Sequence, residues 1–105
     1  MEIDRWYVKQ FSKFLQKLKD TKDLDGNSIL YNSMIVYGGG NADANLHTHT
    51  NLPLILAGGG SGLLAPGRYV KHGSKPTTNL FLSIADRMGV QLERFGDSTG
   101  RSANV

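Results

Sequence analysis

Apolar side chains recur with a helical period near the start of the chain. Within the first 18 residues they are Ile3, Tyr7, Phe11, Phe14, Leu15 and Leu18. Because positions three and four residues apart share one face of a helix, this spacing predicts a helix over residues 4–19, with Asp4 as its N-cap. Lys9, Lys13 and Lys17 fall on the opposite face, which we expect to be solvated, as charged helix faces usually are.

Two short apolar runs predict buried strands. Residues 33–37 read SMIVY and residues 52–57 read LPLILA, and glycines follow each run. Runs of this length that are rich in β-branched and aliphatic residues and end at glycine are typical of strands. Residues 68–70 are predicted to form a third, very short strand.

A second helix is predicted over residues 78–88. Leu80, Ile84 and Met88 form one stripe, and Gly89 stands where a C-terminal cap glycine belongs. Residues 97–105 are polar and are predicted to form a tail. The order of elements indicates an α/β fold in one segment, residues 1–105, with a small partial sheet flanked by two helices. A sheet of two or three strands exposes both edges, so we expect a partner: a second copy or the remainder of a larger protein.

Composition limits the classes of protein further. The chain has 105 residues, 13 glycines, no cysteine and a formal net charge of +3. A chain of this length forms at most one domain with a small hydrophobic core. The absence of cysteine excludes disulfides and metal sites with cysteine ligands. The sequence begins MEID without a basic segment and an apolar run, so no signal peptide is predicted. No apolar stretch reaches the roughly 20 residues that span a bilayer. Half of the 12 basic residues lie in the first 22 positions, a weak indication of nucleic acid, which is not expected as a partner.

Candidate chemistry lies in residues 38–51, which read GGGNADANLHTHTN and directly follow the first predicted strand. In an extended backbone, His47 and His49 would project to the same side and share one metal ion. Asp43 is the candidate carboxylate ligand, and Zn²⁺ or another divalent ion is the expected cofactor. Asn41 and Asn45 are candidate ligand-binding residues. The alternative is that both histidines hydrogen-bond to loop carbonyls and only order the connection.

The second glycine cluster, residues 57–62, also follows a strand. Its backbone N–H groups would suit a nest, a concave set of N–H groups that binds an anion. A structural turn that needs positive φ angles is the favoured interpretation. Neither Ser61 nor Thr99 lies in the G-x-S-x-G pattern of a nucleophile, so no catalytic residue is predicted.

Several stretches together resemble a known family. They include GNADANLHTHTNLP, LILAGGGSG and the closing FGDSTG, with a likeness that extends upstream to IDRWYVKQFSKFLQKLK. The chain is similar to the C-terminal third of the bacterial family of unknown function named for an HXXSHH motif. That motif itself is absent from this chain. The family in turn resembles the alkaline phosphatase and sulfatase superfamily.

The resemblance implies a fold, a location and a limit on activity. It implies the C-terminal part of an alkaline-phosphatase-like fold in an exported, periplasmic or secreted, parent protein. Where those enzymes carry Asp-His or Asp-Asn metal ligands at the end of a strand, this chain has Tyr37 followed by three glycines. The superfamily's nucleophile lies near the other end of its domain, so the segment by itself is expected to be catalytically incomplete.

Two other functions stay open. The segment would serve as a non-catalytic module that associates with itself or with a partner through its strand edges and apolar helix face. The lysine face of the first helix would also suit a weak polyanion binder.

Overall fold

The computed structural model describes residues 2–40, 45–47, 52–103 and 105. Its elements, in chain order, are helix α1 (Glu2–Asp20), strands β1 (Ile35–Gly38) and β2 (Leu54–Ala57), a 3₁₀ turn (Gly60–Gly62) and helix α2 (Thr78–Arg87). The prediction of a small α/β fold with a partial sheet and two helices is confirmed. No described helix is both long and apolar enough to cross a membrane.

Two local predictions are wrong. Helix α1 begins at Glu2, so Asp4 lies inside the first turn and is not the N-cap. At this position its negative charge stabilises the helix through the positive end of the helix dipole. Residues 68–70 form no strand. Gly67 turns the chain there at φ +78°, and the side-chain Nε of Arg68 donates to the carbonyl of Ala65 at 2.8 Å. No described backbone segment pairs with these residues, and a strand needs such a partner.

The two strands pair antiparallel, with Ile35 opposite Ala57 and Gly38 opposite Leu54. The segment between them, residues 39–53, is therefore a hairpin connection. This connection follows the carboxyl end of β1, as the sequence predicted, but antiparallel strands end at opposite edges, so the carboxyl end of β2 does not lie beside it. The glycines that follow β1 and the glycines that follow β2 therefore lie at opposite ends of this two-stranded ribbon.

The helices lie against different faces of this ribbon. Paired residues of antiparallel strands share a face, so Tyr37 and Ile55 point one way while Val36 and Leu56 point the other. Tyr37 stacks on Phe11 of α1, with ring centroids 4.5 Å apart. Val36 and Phe81 of α2 line a common apolar groove on the other face.

Helix α2 carries the most buried part of the described chain. Leu82 is the one buried hydrophobic residue among the described positions, and Asn79 and Ser83 beside it are also buried. The helix ends at Arg87, and Gly89 follows as the predicted C-terminal glycine, with φ +83°. Gly89 N–H donates to Asp86 and Val90 N–H to Ala85, the pair of bonds that a left-handed C-terminal glycine allows.

The packing as a whole is open. The accessible surface is 7899 Å², whereas a compact monomer of 11.5 kDa exposes about 5,800 Å². The radius of gyration is 15.0 Å, against about 13 Å for a compact chain of this length. Helix α1 has no buried residue at all. Part of the exposed surface is apolar, since Trp6, Tyr7 and Phe14 of this helix are each about half exposed.

Candidate functional site

The hairpin connection holds the residues that the sequence singled out. Asn45 and His47 lie in an exposed turn, whereas Asn41, Asp43 and His49 lie outside the described residues. His47 has φ +52°, the left-handed region. The premise of an extended backbone, on which both histidines would project to one side, is therefore wrong at His47.

A metal centre in this connection stays a hypothesis. Within residues 2–40, 45–47, 52–103 and 105, no three His, Asp or Glu side chains come together to hold an ion. The proposed set of His47, His49 and Asp43 depends on positions beyond those ranges.

The second glycine cluster is a structural turn, as favoured from the sequence. The backbone N–H groups of Gly59, Gly60 and Ser61 donate to the carbonyls of Leu30, Ser33 and Tyr31, at 2.9–3.2 Å. These N–H groups already have partners, so the anion nest is wrong. The turn instead fastens the end of β2 to the segment that precedes β1.

Close backbone approach explains the run of glycines in this turn. A Cβ at Gly58 would overlap the carbonyl oxygen of Ser33, and a Cβ at Gly59 would lie 2.7 Å from the carbonyl oxygen of Tyr31. Gly58 also has φ +102°, where an L-residue is strained. The glycines thus serve packing against residues 30–33.

A network of carboxylates and amides joins this turn to the end of α1. The Asn32 amide donates to Asp23 at 3.2 Å and to Asp25 at 2.9 Å, and it accepts from the Ser61 hydroxyl at 3.1 Å. The backbone N–H of Asn27 also donates to Asp25. This backbone hydrogen bond, with help from the Asn32 amide, lowers the pKa of Asp25. Amide N–H groups already donate to both carboxylates, so the network stabilises the local structure. In the sequence, the Asp25–Gly26 pair predicted a turn at this place.

The described part of the predicted polar tail, residues 97–103 and 105, lacks regular secondary structure and lies against α2. The side chain of Asn79 accepts from Thr99 N–H at 2.9 Å and donates to the Thr99 hydroxyl at 3.2 Å. Arg101 forms an ion pair with Asp86, which lowers the pKa of Asp86. Phe95 adds an edge-to-face contact with Phe81. The segment is therefore part of the folded unit around α2.

An open groove beside β2 was not predicted. It has a volume of about 950 Å³ and is lined by apolar side chains that include Leu54, Leu56, Leu64 and Leu80. Its basic lining residues are Arg68, Lys71, His72 and Lys75. His72 is exposed, as expected. The signal available in the sequence was charge asymmetry, because residues 44–85 contain no Asp or Glu.

Searches against protein families, curated proteins and solved structures find no match to this chain.

Proposed function

We propose that the chain is the C-terminal α/β segment of an alkaline-phosphatase-like, exported protein, and that it works by completing a larger fold. The carrying observation is the surplus of accessible surface over that of a compact monomer of this mass. That surplus, roughly 2,000 Å², is the size of an extensive obligate interface. The family resemblance of the sequence supports the same proposal.

The positions of the exposed groups also favour completion by further polypeptide. Ile3, Tyr7 and Phe14 lie on the apolar stripe of α1 and remain 72%, 55% and 49% exposed. Monomeric proteins rarely leave contiguous apolar patches of more than a few hundred Å². In the proposed parent protein, other segments cover this stripe and extend the sheet.

Sedimentation velocity of the purified chain, combined with near-ultraviolet circular dichroism, tests the proposal. We expect either association or a monomer with loose aromatic packing at 10–100 μM, roughly the range in which weak contacts form. A discrete homodimer with fixed aromatic packing would favour the alternative of a self-association module. A tight monomer with fixed aromatic signals would contradict both.

The segment alone is proposed to be catalytically incomplete. Its sequence has neither the G-x-S-x-G pattern of a nucleophile nor metal-ligating residue types at Gly38–Gly40, where the resembled enzymes carry ligands. We expect no turnover of aryl phosphate or aryl sulfate esters near 1 s⁻¹, the lower end of ordinary enzymes. Turnover at that rate that a substitution in this chain abolishes would overturn this part of the proposal.

A divalent metal, with Zn²⁺ favoured, is the proposed ligand of the hairpin connection. His47 stands in an exposed turn, and imidazole nitrogen suits zinc; His49 and Asp43 are the proposed further ligands. Calorimetric titration with Zn²⁺ from pH 5 to 8 should give heats that fade below about pH 6, because protonated imidazole does not bind metal. Equal heats for the wild type, His47→Ala and His49→Ala would rule out these ligands.

A further inference from the structure

The outer edge of β2 is open in the described part of the chain. Strand β2 pairs with β1 alone, and no other backbone hydrogen bond to Leu54–Ala57 is present among the described residues. Such an edge presents a row of unpaired N–H and C=O groups, which is a template for another strand.

The groove beside β2 offers room and an apolar surface for that strand. Leu54 and Leu56 line it from the sheet, Leu64 and Val70 from the connection, and Leu80 from α2. Its volume of about 950 Å³ lies at the upper end of ligand pockets, which run from about 300 to 1,000 Å³. A short extended peptide would bury alternate side chains here, since strand side chains alternate between faces.

The charged side chains that line the groove are basic, which favours an acidic partner. Lys71 and Lys75 are exposed, and neither forms a salt bridge with any described residue. Arg68 and His72 also line the groove, and no Asp or Glu is among its described lining residues. Val105 also lines the groove, and its main-chain oxygen already accepts a hydrogen bond from the Arg87 guanidinium at 3.2 Å. The surroundings therefore complement negative charge.

We infer that the groove binds an acidic polypeptide segment that adds to the edge of β2 as a strand. This inference deepens the proposed function, on which it rests, by naming the chemistry of the polypeptide that covers this surface. Backbone pairing with β2 supplies affinity, apolar side chains contact the leucines, and carboxylates meet Lys71 and Lys75. A nucleic acid fits less well, because Tyr69 is the single aromatic side chain among the described residues that line the groove, whereas proteins that bind single strands stack successive bases on several.

Fluorescence anisotropy with a labelled eight-residue peptide of alternating valine and glutamate tests the inference. The double variant Lys71→Glu/Lys75→Glu should weaken binding about fivefold or more, since two attractive pairs become repulsive. The matched control Lys9→Glu/Lys13→Glu, with the same charge change on α1, should bind as the wild type does. A peptide with N-methyl groups at alternate positions should bind more weakly, because it loses backbone donors on one edge.

Three outcomes would overturn the inference. They are absence of peptide binding, equal weakening by the two double variants, and equal affinity for an oligothymidylate of the same charge. Each leaves the proposed function standing, since that depends on sedimentation and aromatic packing. Circular dichroism of both double variants shows that a loss of binding is not a loss of fold.

Discussion

Gly58 and Gly67 both have positive φ angles, but they differ in their surroundings. Gly58 packs against the carbonyl of Ser33, whereas a Cβ at Gly67 would meet nothing within 4 Å. Alanine at position 67 would therefore have only the strain of a left-handed backbone, whereas alanine at position 58 would also overlap the Ser33 carbonyl. Glycine at position 58 holds the end of β2 against the segment before β1.

We predict that Gly58→Ala destabilises the chain by roughly 3 kcal/mol or more, whereas Gly67→Ala costs only about 1–2 kcal/mol. The first substitution adds a steric overlap with Ser33 to the strain of the left-handed conformation, and the second adds strain alone. Urea unfolding followed by circular dichroism measures both. Equal costs would show that the contact with Ser33 is unimportant.

Asp86 links stability to pH. The Arg101 side chain donates to its carboxylate and lowers its pKa, so the ionised form is favoured in the folded state. This contribution is present above the ordinary aspartate pKa near 3.9 and is lost as pH falls through the lower, folded value. Asp25, whose pKa is also lowered, acts in the same direction.

We predict that stability declines less steeply between pH 5 and pH 2 in Asp86→Asn than in the wild type. The variant has no carboxylate at position 86 to protonate, so one source of the acid-dependent loss disappears. Urea midpoints measured at several pH values give the two slopes. Glu93→Gln, which removes an exposed carboxylate, is the control, and a slope change as large as that of Asp86→Asn would contradict the assignment.

At the scale of elements, α2 is secured by polar contacts with the chain that follows it. Asn79 is 3% exposed, and its side chain makes two hydrogen bonds to Thr99. The Ser83 hydroxyl also donates to the Ser102 carbonyl at 3.0 Å. Because a buried donor or acceptor without a partner is costly, this polar face depends on residues 98–103 staying in place.

We predict that Asn79→Ala costs about 1–3 kcal/mol, because it leaves Thr99 N–H without its acceptor in a partly buried site. Hydrogen exchange at residues 98–103 should accelerate by at least tenfold, while exchange at Val36 and Leu56 changes less. The exposed residue Gln91 provides the control, as Gln91→Ala. Uniform acceleration throughout the chain would mean that the segment has no separate attachment to α2.

Over the whole molecule, too little of the chain is buried for its length. The contrast is clearest along α1, where Phe11 stacks on Tyr37 while Tyr7 and Phe14 remain about half exposed. Phe11, in the middle of the apolar stripe, thus contacts the sheet, whereas its neighbours on the stripe on either side stay about half exposed.

We predict that Tyr7→Glu/Phe14→Glu shifts any self-association measured by sedimentation toward monomer by about tenfold or more in dissociation constant. Each substitution removes apolar surface and places a charge in the contact, and such central aromatics dominate interface energies. Lys13→Glu/Lys17→Glu, on the opposite face, should leave association nearly unchanged. The reverse ranking would place the self-association contact on the lysine face and contradict the prediction.

Local physics determined much of this fold from the sequence. The apolar period predicted both helices, the β-branched runs predicted both strands, and Gly89 predicted the end of α2, because each signal acts within a few residues of itself. Among the candidate site residues, only the exposed turn at Asn45 and His47 lies in the described chain, and its left-handed φ at His47 overturned the extended geometry.

Contacts between distant residues decided the rest. The antiparallel pairing of β1 with β2 put the glycine-rich segments at opposite ends of the ribbon. The N–H groups of Gly59–Ser61 donate to carbonyls of residues 30–33, so they are not available to an anion. The attachment of the C-terminal segment to Asn79 and the basic groove beside β2 likewise join residues far apart in sequence. Periodicity in the sequence shows which face of a helix or strand is apolar. Only the tertiary structure decides which other element packs against that face and which backbone N–H groups already have an acceptor.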